Sequence, residues 1–329
     1  MRRLAVTLGR AFAAAAVAVL LLALSGAAFG HSPAELLGIL VSGSVGSRFA
    51  LEGTLLKSVP LLLTGLSVAV AFRAGVWNIG AEGQFIVGAL AGLLASRWGV
   101  AAALIASMLA GAAWASLATA MRLLRNAPEV LTTILLNFTA IHLLGWSVNG
   151  PLRESIAQYP QSDPAGVALP VLAGQVHAGL PIAVLAAIAL WVLIHRTREG
   201  LRLRATGFSP NAAEWAGINV RAQLARAMAI SGAVAGLAGG IELLGVTHRL
   251  FERFASGYGY SGIAVALLAQ LHPLATVLSA LFFGALVTGA GELQRTANIS
   301  AAVATLGQAL VILTLIGFEH VRRNRQSNR

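Results

Sequence analysis

Cysteine is absent from this chain, which excludes a disulfide framework and a thiolate metal site and leaves the redox compartment open. Lysine is nearly absent as well: Lys57 is the only one, and it follows Leu56. A phosphate-binding loop needs Gly-Lys-Ser/Thr, with its lysine reaching the β- and γ-phosphates. No segment here supplies that triplet, so the chain has no such loop of its own. Charge of either sign is scarce, at 11% of residues against about 25% in ordinary soluble domains. Alternating ten-residue apolar strands, the mark of a membrane β-barrel, are missing. His142 and His195 stand at no metal-binding spacing, and no Ser/His pairing or paired carboxylates point to an intramembrane enzyme. No metal, cofactor or catalytic residue is expected.

What the chain does have is apolar length. It is 57% hydrophobic with mean hydropathy +0.79, and apolar runs recur along nearly all of it. The expected fold is all-α, a polytopic membrane protein of about ten transmembrane helices, some short or broken. The candidate spans are 11–29, 55–72, 76–96, 100–121, 130–149, 179–195, 227–247, 258–271, 273–291 and 300–318. The long ones approach the roughly 20 residues that a bilayer core demands. The segment 258–271 is short and is kept for parity, because ten crossings from a cytoplasmic N-terminus return the basic C-terminal tail to the cytoplasm. Residues 1–30 also mimic a signal peptide, with a basic start, an apolar core and a small-residue stretch at Ala27-Ala28-Phe29-Gly30. A retained helix is the reading preferred, because nine further spans follow. Sixteen of the 23 basic residues then fall on the expected cytoplasmic side and seven on the outer side. This follows the positive-inside bias, with both termini cytoplasmic. The longest polar connections are 30–54, 150–178 (extracytoplasmic) and 196–226 (cytoplasmic).

Against that apolar background one polar block stands out: Trp77-Asn78-Ile79-Gly80-Ala81-Glu82-Gly83-Gln84. An ionisable side chain costs about 2.5–3.5 kcal/mol at a transmembrane helix centre even on a mild scale. With a span starting near Val76, Glu82 would lie about 9 Å inside it. Asn78 and Gln84 add amides suited to hydroxyls or base edges. The block reads as a polar path or binding site, with a short cytoplasmic turn and helix–helix polar glue as alternatives.

The loop 196–226 is the second informative element. After Arg196, Arg198, Arg202 and Arg204 it reads Gly207-Phe208-Ser209-Pro210-Asn211-Ala212-Ala213-Glu214-Trp215-Ala216-Gly217. Ser209 suits an N-cap, Pro210 the first helical position and Gly217 a left-handed C-cap. That spells a helix of about two turns, too short to stand alone in water. It must dock, either on the chain's own membrane helices or on a separate cytoplasmic subunit; as a docking helix for an ATPase its non-polar face would include Ala212, Trp215 and Ala216.

The run from Val76 to Phe85 resembles the signature of permease subunits of ABC importers in the branched-chain amino acid/ribose class, and most of all that of nucleoside and simple-sugar permeases. Three blocks agree with it. Asn126-Ala127-Pro128-Glu129 through Asn137 resembles the family's asparagine-bearing middle helix. Residues 200–217 resemble its ATPase-coupling loop, and Gly257-Tyr258-Gly259-Tyr260-Ser261-Gly262 its late glycine/aromatic motif. The similarity spans about 50–318 in the expected order, with Ser261 standing where members usually carry an acidic residue. The resemblance implies one permease domain over 1–329 in a bacterial inner membrane, forming the path for a nucleoside or simple sugar. It also implies a cytoplasmic ATPase subunit, an extracytoplasmic solute-binding lipoprotein and a second permease subunit, in a heterodimer with a homodimer as the alternative, and no nucleic acid partner. Asn78, Glu82, Gln84, Asn137, Tyr258 and Tyr260 are then the expected substrate path. Gly207, Ser209, Pro210, Ala212, Glu214, Trp215 and Gly217 are the expected ATPase-coupling residues.

Some residues keep two readings. Tyr258 and Tyr260 can stack on a base or belong to an interfacial aromatic belt. Trp98, Trp114, Trp146 and Trp191 are read as belt or packing residues. Glu242 is read as pairing with His248 or Arg249 at the outer mouth rather than touching a ligand. A secondary transporter would also show broken helices and weak repeats, and 55–149 and 227–318 each carry a glycine/aromatic break. The capped helix in 196–226 argues against it, since a carrier has no need of one.

Overall fold

The computed structural model of the protein describes residues 32–156 and 159–297, together with positions 302, 306, 309 and 310. The expected span 11–29, the signal-like start and the basic tail lie outside the described residues, as does nearly all of 300–318. Among the described residues the architecture is helical, with six helices long and apolar enough to cross a membrane.

Helix α1 (Pro33–Val45) starts where Ser32 Oγ accepts from the Glu35 N–H and proline takes the first position. Helix α2 (Arg48–Arg73) follows after a two-residue turn, capped by Ser47. The connection 30–54, read as polar loop, is therefore mostly helix. Helix α3 (Ala81–Ala95) and a single 3-10 turn (Ser96–Trp98) lead to α4 (Val100–Arg125), which Asn126 ends in the left-handed region at φ 52°. Helix α5 (Glu129–Asn149) precedes the connection 150–178, which holds a small antiparallel hairpin, β1 (Val171–Ala173) with β2 (Val176–His177). Then come α6 (Gly179–Arg196), α7 (Arg198–Phe208) and α8 (Pro210–Trp215). Helix α9 (Val220–Glu242) runs on through one π-helical turn (Leu243–Thr247). The described fold closes with α10 (Tyr258–Leu268) and α11 (Pro273–Thr296).

Burial sorts these helices into a centre and a shell. The apolar windows of α2 and of α9 with its π-turn are 78% and 72% buried, whereas that of α4 is 22% buried, so α2 and α9 form the core and α4 presents a face outward. Small residues let the central helices touch. A Cβ on Gly88 would lie 2.4 Å from the Gly236 Cα, so α3 and α9 meet backbone to backbone. This is the close approach that small residues permit between membrane helices.

Two helices are broken rather than continuous. The span expected over 76–96 is irregular up to Gly80 and helical only from Ala81. The span expected over 258–271 is an 11-residue helix reached through the irregular segment 248–257. The far end of α3 is tied to 150–178 by the Gly166 N–H donating to Ser96 Oγ at 2.8 Å. The far end of α10 is tied to the arginine-rich end of the molecule, where Arg73 Nε donates to the Leu271 carbonyl at 2.7 Å. From one shared level the two half-helices therefore run to opposite ends. The connection 150–178 is pinned along the segment 244–250 by backbone bonds from Ser162, Ala165 and Leu169 to Leu250, His248 and Leu244.

Candidate functional site

The N-termini of α3 and α10 meet inside the molecule. A Cβ on Gly259 would stand 2.1 Å from the Glu82 backbone nitrogen, so glycine is required for the approach. Each helix N-terminus carries unsatisfied N–H groups and a partial positive charge. Glu82 answers both, since it lies in the first turn of α3 and its carboxylate accepts the Gly257 and Gly259 N–H groups at 2.9 and 2.6 Å. It is 4% exposed.

The amides of the block bind each other. Asn78 Nδ2 donates to Gln84 Oε1 and Gln84 Nε2 to Asn78 Oδ1, both at 3.0 Å. Asn78 Nδ2 also donates to Ser231 Oγ on α9 at 2.8 Å, and Asn78 Oδ1 accepts the Gly80 N–H at 2.9 Å. Asn137 of α5 spans the break from the side. Its Oδ1 accepts the Gly83 N–H at 2.8 Å, while its Nδ2 donates to the Ile79 carbonyl at 2.9 Å and to the Tyr260 hydroxyl at 3.2 Å. The structure thus brings Asn78, Glu82, Gln84, Asn137 and Tyr260 into one region and gives each a partner there. A buried polar group left without one costs about 1–3 kcal/mol, so these contacts hold the broken backbone in place.

Tyr258 turns the other way, where its hydroxyl accepts from Lys57 Nζ at 3.0 Å. Lys57 opens on a cavity of about 550 Å³ bounded by α1, α2, α11 and the π-turn of α9, and Glu242 lines the same cavity. Here the sequence reading is corrected. Arg249 Nη1 pairs with Glu154 Oε2 at 2.9 Å in the 150–178 connection and is not the partner of Glu242. Sequence reasoning singled out neither Lys57 as a site residue nor Glu242 as its neighbour. The two come from different helices, and nothing local in the sequence signals the meeting.

At the arginine-rich end, 196–226 is more structured than expected. Helix α7 comes before the short helix, and Glu199 staples it to α9 by accepting from Arg226 at 2.6 Å and Gln223 at 3.1 Å, while also accepting from Arg202 of its own helix at 2.6 Å. The Gln223 hydrogen bond, with Arg202 and Arg226 beside it, holds the Glu199 carboxyl below its ordinary pKa. The helix α8 signals are as read: Ser209 Oγ accepts from the Ala212 N–H at 3.3 Å, Pro210 stands first, and Gly217 has φ 77°. Its inward anchor is Ala213, which leaves Ala212, Trp215 and Ala216 exposed. Phe208 and Trp215 are 94% and 92% exposed. Gly207 lies against α2, where a Cβ would reach within 2.0 Å of the Arg73 carbonyl oxygen. Glu214 is exposed beside Trp215.

The chain matches the family described as branched-chain amino acid transport system / permease component over residues 50–317. It is 34% identical over 315 residues to a glucose ABC transporter permease protein, TsgB13, of Haloferax volcanii, covering 89% of this chain and 83% of that one. It is 32% identical over 302 residues to a guanosine ABC transporter permease protein, NupP, of Bacillus subtilis, covering 86% of each. A second guanosine permease protein of Bacillus subtilis, NupQ, is 30% identical over 251 residues, 70% of this chain and 78% of that one.

Proposed function

Since this chain belongs to the branched-chain amino acid transport system permease family and is a transmembrane subunit of an ABC importer, we propose that it forms the path for a nucleoside or simple sugar. The glucose and guanosine permeases among its relatives support that solute class. ATP hydrolysis is assigned to a separate cytoplasmic chain, because the sequence has no phosphate-binding loop. An extracytoplasmic binding protein would deliver the solute. Two related guanosine permeases in one organism support a second permease subunit, hence a heterodimeric core. The arginine-rich end is placed in the cytoplasm, with both termini there and the protein crossing the bacterial inner membrane many times.

In this reading the block is the closed middle of the path. Asn78, Glu82, Gln84, Asn137 and Tyr260 hold the half-helices shut through bonds to the backbone around the break and through the Asn78–Gln84 and Asn137–Tyr260 pairs, and Tyr258 joins that closure to the cavity. Opening would exchange these internal bonds for bonds to the solute. Ends of half-helices meeting at mid-depth are a known way to build such sites.

The observation that carries the ATP-driven reading is the pair Phe208 and Trp215, almost fully exposed on helices whose other side is locked to the domain. Large aromatic anchors dominate many protein contacts, and an ATPase docking on them would push α7 and α8. Gly207 lies on the Arg73 end of α2, and Arg73 holds the α10–α11 turn through Leu271. The push would thus reach α10 and, at its other end, Glu82. The residues proposed for coupling are Gly207, Ser209, Pro210, Ala212, Glu214, Trp215 and Gly217, with Phe208 added.

The test is uptake into proteoliposomes containing both permeases and the ATPase, supplied with the binding protein and radiolabelled guanosine or glucose. Uptake is expected only with internal ATP and binding protein present. Uptake driven by an ion gradient without ATP would establish a secondary transporter instead.

A further inference from the structure

Among the described residues Glu242 occupies an unusual position. It is 4% exposed, it lines the cavity of about 550 Å³, and no hydrogen bond or ion pair engages its carboxylate. Desolvating a carboxylate without a partner is costly, and ionisable groups retained inside membrane proteins are functional by default. Lys57, across the cavity, spends one of its three donors on Tyr258. The space is of the size that binds small molecules, about 300–1,000 Å³.

The chemistry of the walls narrows the occupant. The charged groups lining the cavity are Lys57 and Arg295 against Glu242 and Glu292, which balance. Arg295 and Glu292 are already paired with each other at one side. A cationic solute would meet Lys57, and an anionic one Glu242, so a solute of zero net charge fits best. The open carboxylate accepts only, and the ammonium donates only. A neutral solute presenting adjacent hydroxyls satisfies both: two O–H groups donate to Glu242, while a hydroxyl or ring oxygen accepts from Lys57. Phe49 and Leu56 supply an apolar wall for the carbon face of a ring.

We infer that this cavity is a solute site in which Glu242 and Lys57 grip the vicinal hydroxyls of a sugar or ribose ring, on the outer side of the closed middle. The inference rests on the importer reading above and adds the site and the group recognised. It also gives the solute a lever. A hydroxyl that takes the Lys57 donor competes with Tyr258, which lies between Gly257 and Gly259, the two residues Glu82 holds. Filling the site would loosen the closure from above.

Three variants test this in the full complex, with guanosine and D-glucose as probes and their 2-deoxy analogues alongside. Glu242→Gln keeps volume and removes the double acceptor. Gly291→Leu fills the cavity where an added Cβ meets nothing within 4 Å. The double variant Lys57→Met with Glu242→Gln asks whether the two charges merely balance each other. For the probe that the wild type imports, each variant is expected to lose at least tenfold in uptake, about 1.4 kcal/mol. The Glu242→Gln complex is expected to melt no lower than wild type and to lose the preference for the hydroxylated probe over its deoxy analogue. Uptake restored in the double variant would make the pair structural and overturn the site. Wild-type uptake by Glu242→Gln or by Gly291→Leu would overturn it as well. A wild-type complex that imports neither probe under ATP would remove the proposed solute class, and this site with it.

Discussion

Glu82 and Glu242 are equally buried, each 4% exposed, yet their surroundings differ completely. Glu82 accepts two backbone N–H groups at the meeting of two helix N-termini, whereas among the described residues Glu242 accepts none and faces an open cavity. A buried carboxylate is thus no single kind of signal. One with donors built around it completes a backbone that could not otherwise be broken at that depth. One without them is held ready for donors that arrive from outside. The polar block at 77–84 belongs to the first kind, and the isolated glutamate near the end of α9 to the second.

The comparison can be attacked most severely at the glycine that permits it. Gly259→Ala places a methyl 2.1 Å from the Glu82 backbone nitrogen, so α3 and α10 must separate. We expect loss of the assembled complex in size-exclusion profiles; a normal profile would show that the two helix ends need not touch. Next in size is Asn137→Ala, which leaves the Gly83 N–H and the Ile79 carbonyl without their side-chain partner. At about 1–3 kcal/mol for each buried unsatisfied group, thermal melting should fall clearly. The same substitution has no counterpart around Glu242.

Trp215→Ala is expected to weaken ATPase association by about 2 kcal/mol in a pull-down titration, in line with loss of an exposed aromatic anchor. Because Trp215 is 92% exposed, the permease itself should melt unchanged. An unaltered titration would take Trp215 out of the docking surface. The smallest effect belongs to Glu199, an exposed carboxylate whose pKa is lowered by Gln223 and the neighbouring arginines. A lowered folded-state pKa means the staple is complete above the ordinary glutamate value of about 4.3 and is lost only as pH falls through the lower, folded value. Binding-protein-stimulated ATP hydrolysis should therefore show no step from this group between pH 5 and 8. Glu199→Gln should change the melting temperature least of these variants, because exposed ion pairs are screened by water and salt.

The continuous spans were legible because apolar length alone identifies them: 100–121, 130–149 and 179–195 lie within α4, α5 and α6. The break before Ala81 was legible because the block 77–84 sets a carboxylate and glycines between apolar runs, and so was the cap geometry of α8. Helix α1 was missed although Ser32-Pro33 followed by Glu35 is a start signal, because the segment is too short to span. Helix α7 was hidden by its arginines. The cavity could not be read at all. Lys57 and Tyr258 are 201 positions apart, and only the packing of α2 against α9 and α10 brings them together with Glu242. Periodicity locates faces, but it does not say which buried polar group has found a partner.

Melting the purified Glu82→Gln and Glu242→Gln complexes side by side tests the contrast most directly. Replacing Glu82 turns one acceptor toward a backbone N–H into a donor, so that complex should melt below wild type by the equivalent of about 1–3 kcal/mol. Replacing Glu242 removes the desolvation cost of a buried carboxylate that accepts no hydrogen bond among the described residues, so that complex should melt at or above wild type. A Glu82→Gln complex as stable as wild type beside a destabilised Glu242→Gln complex would contradict the division of labour between the two.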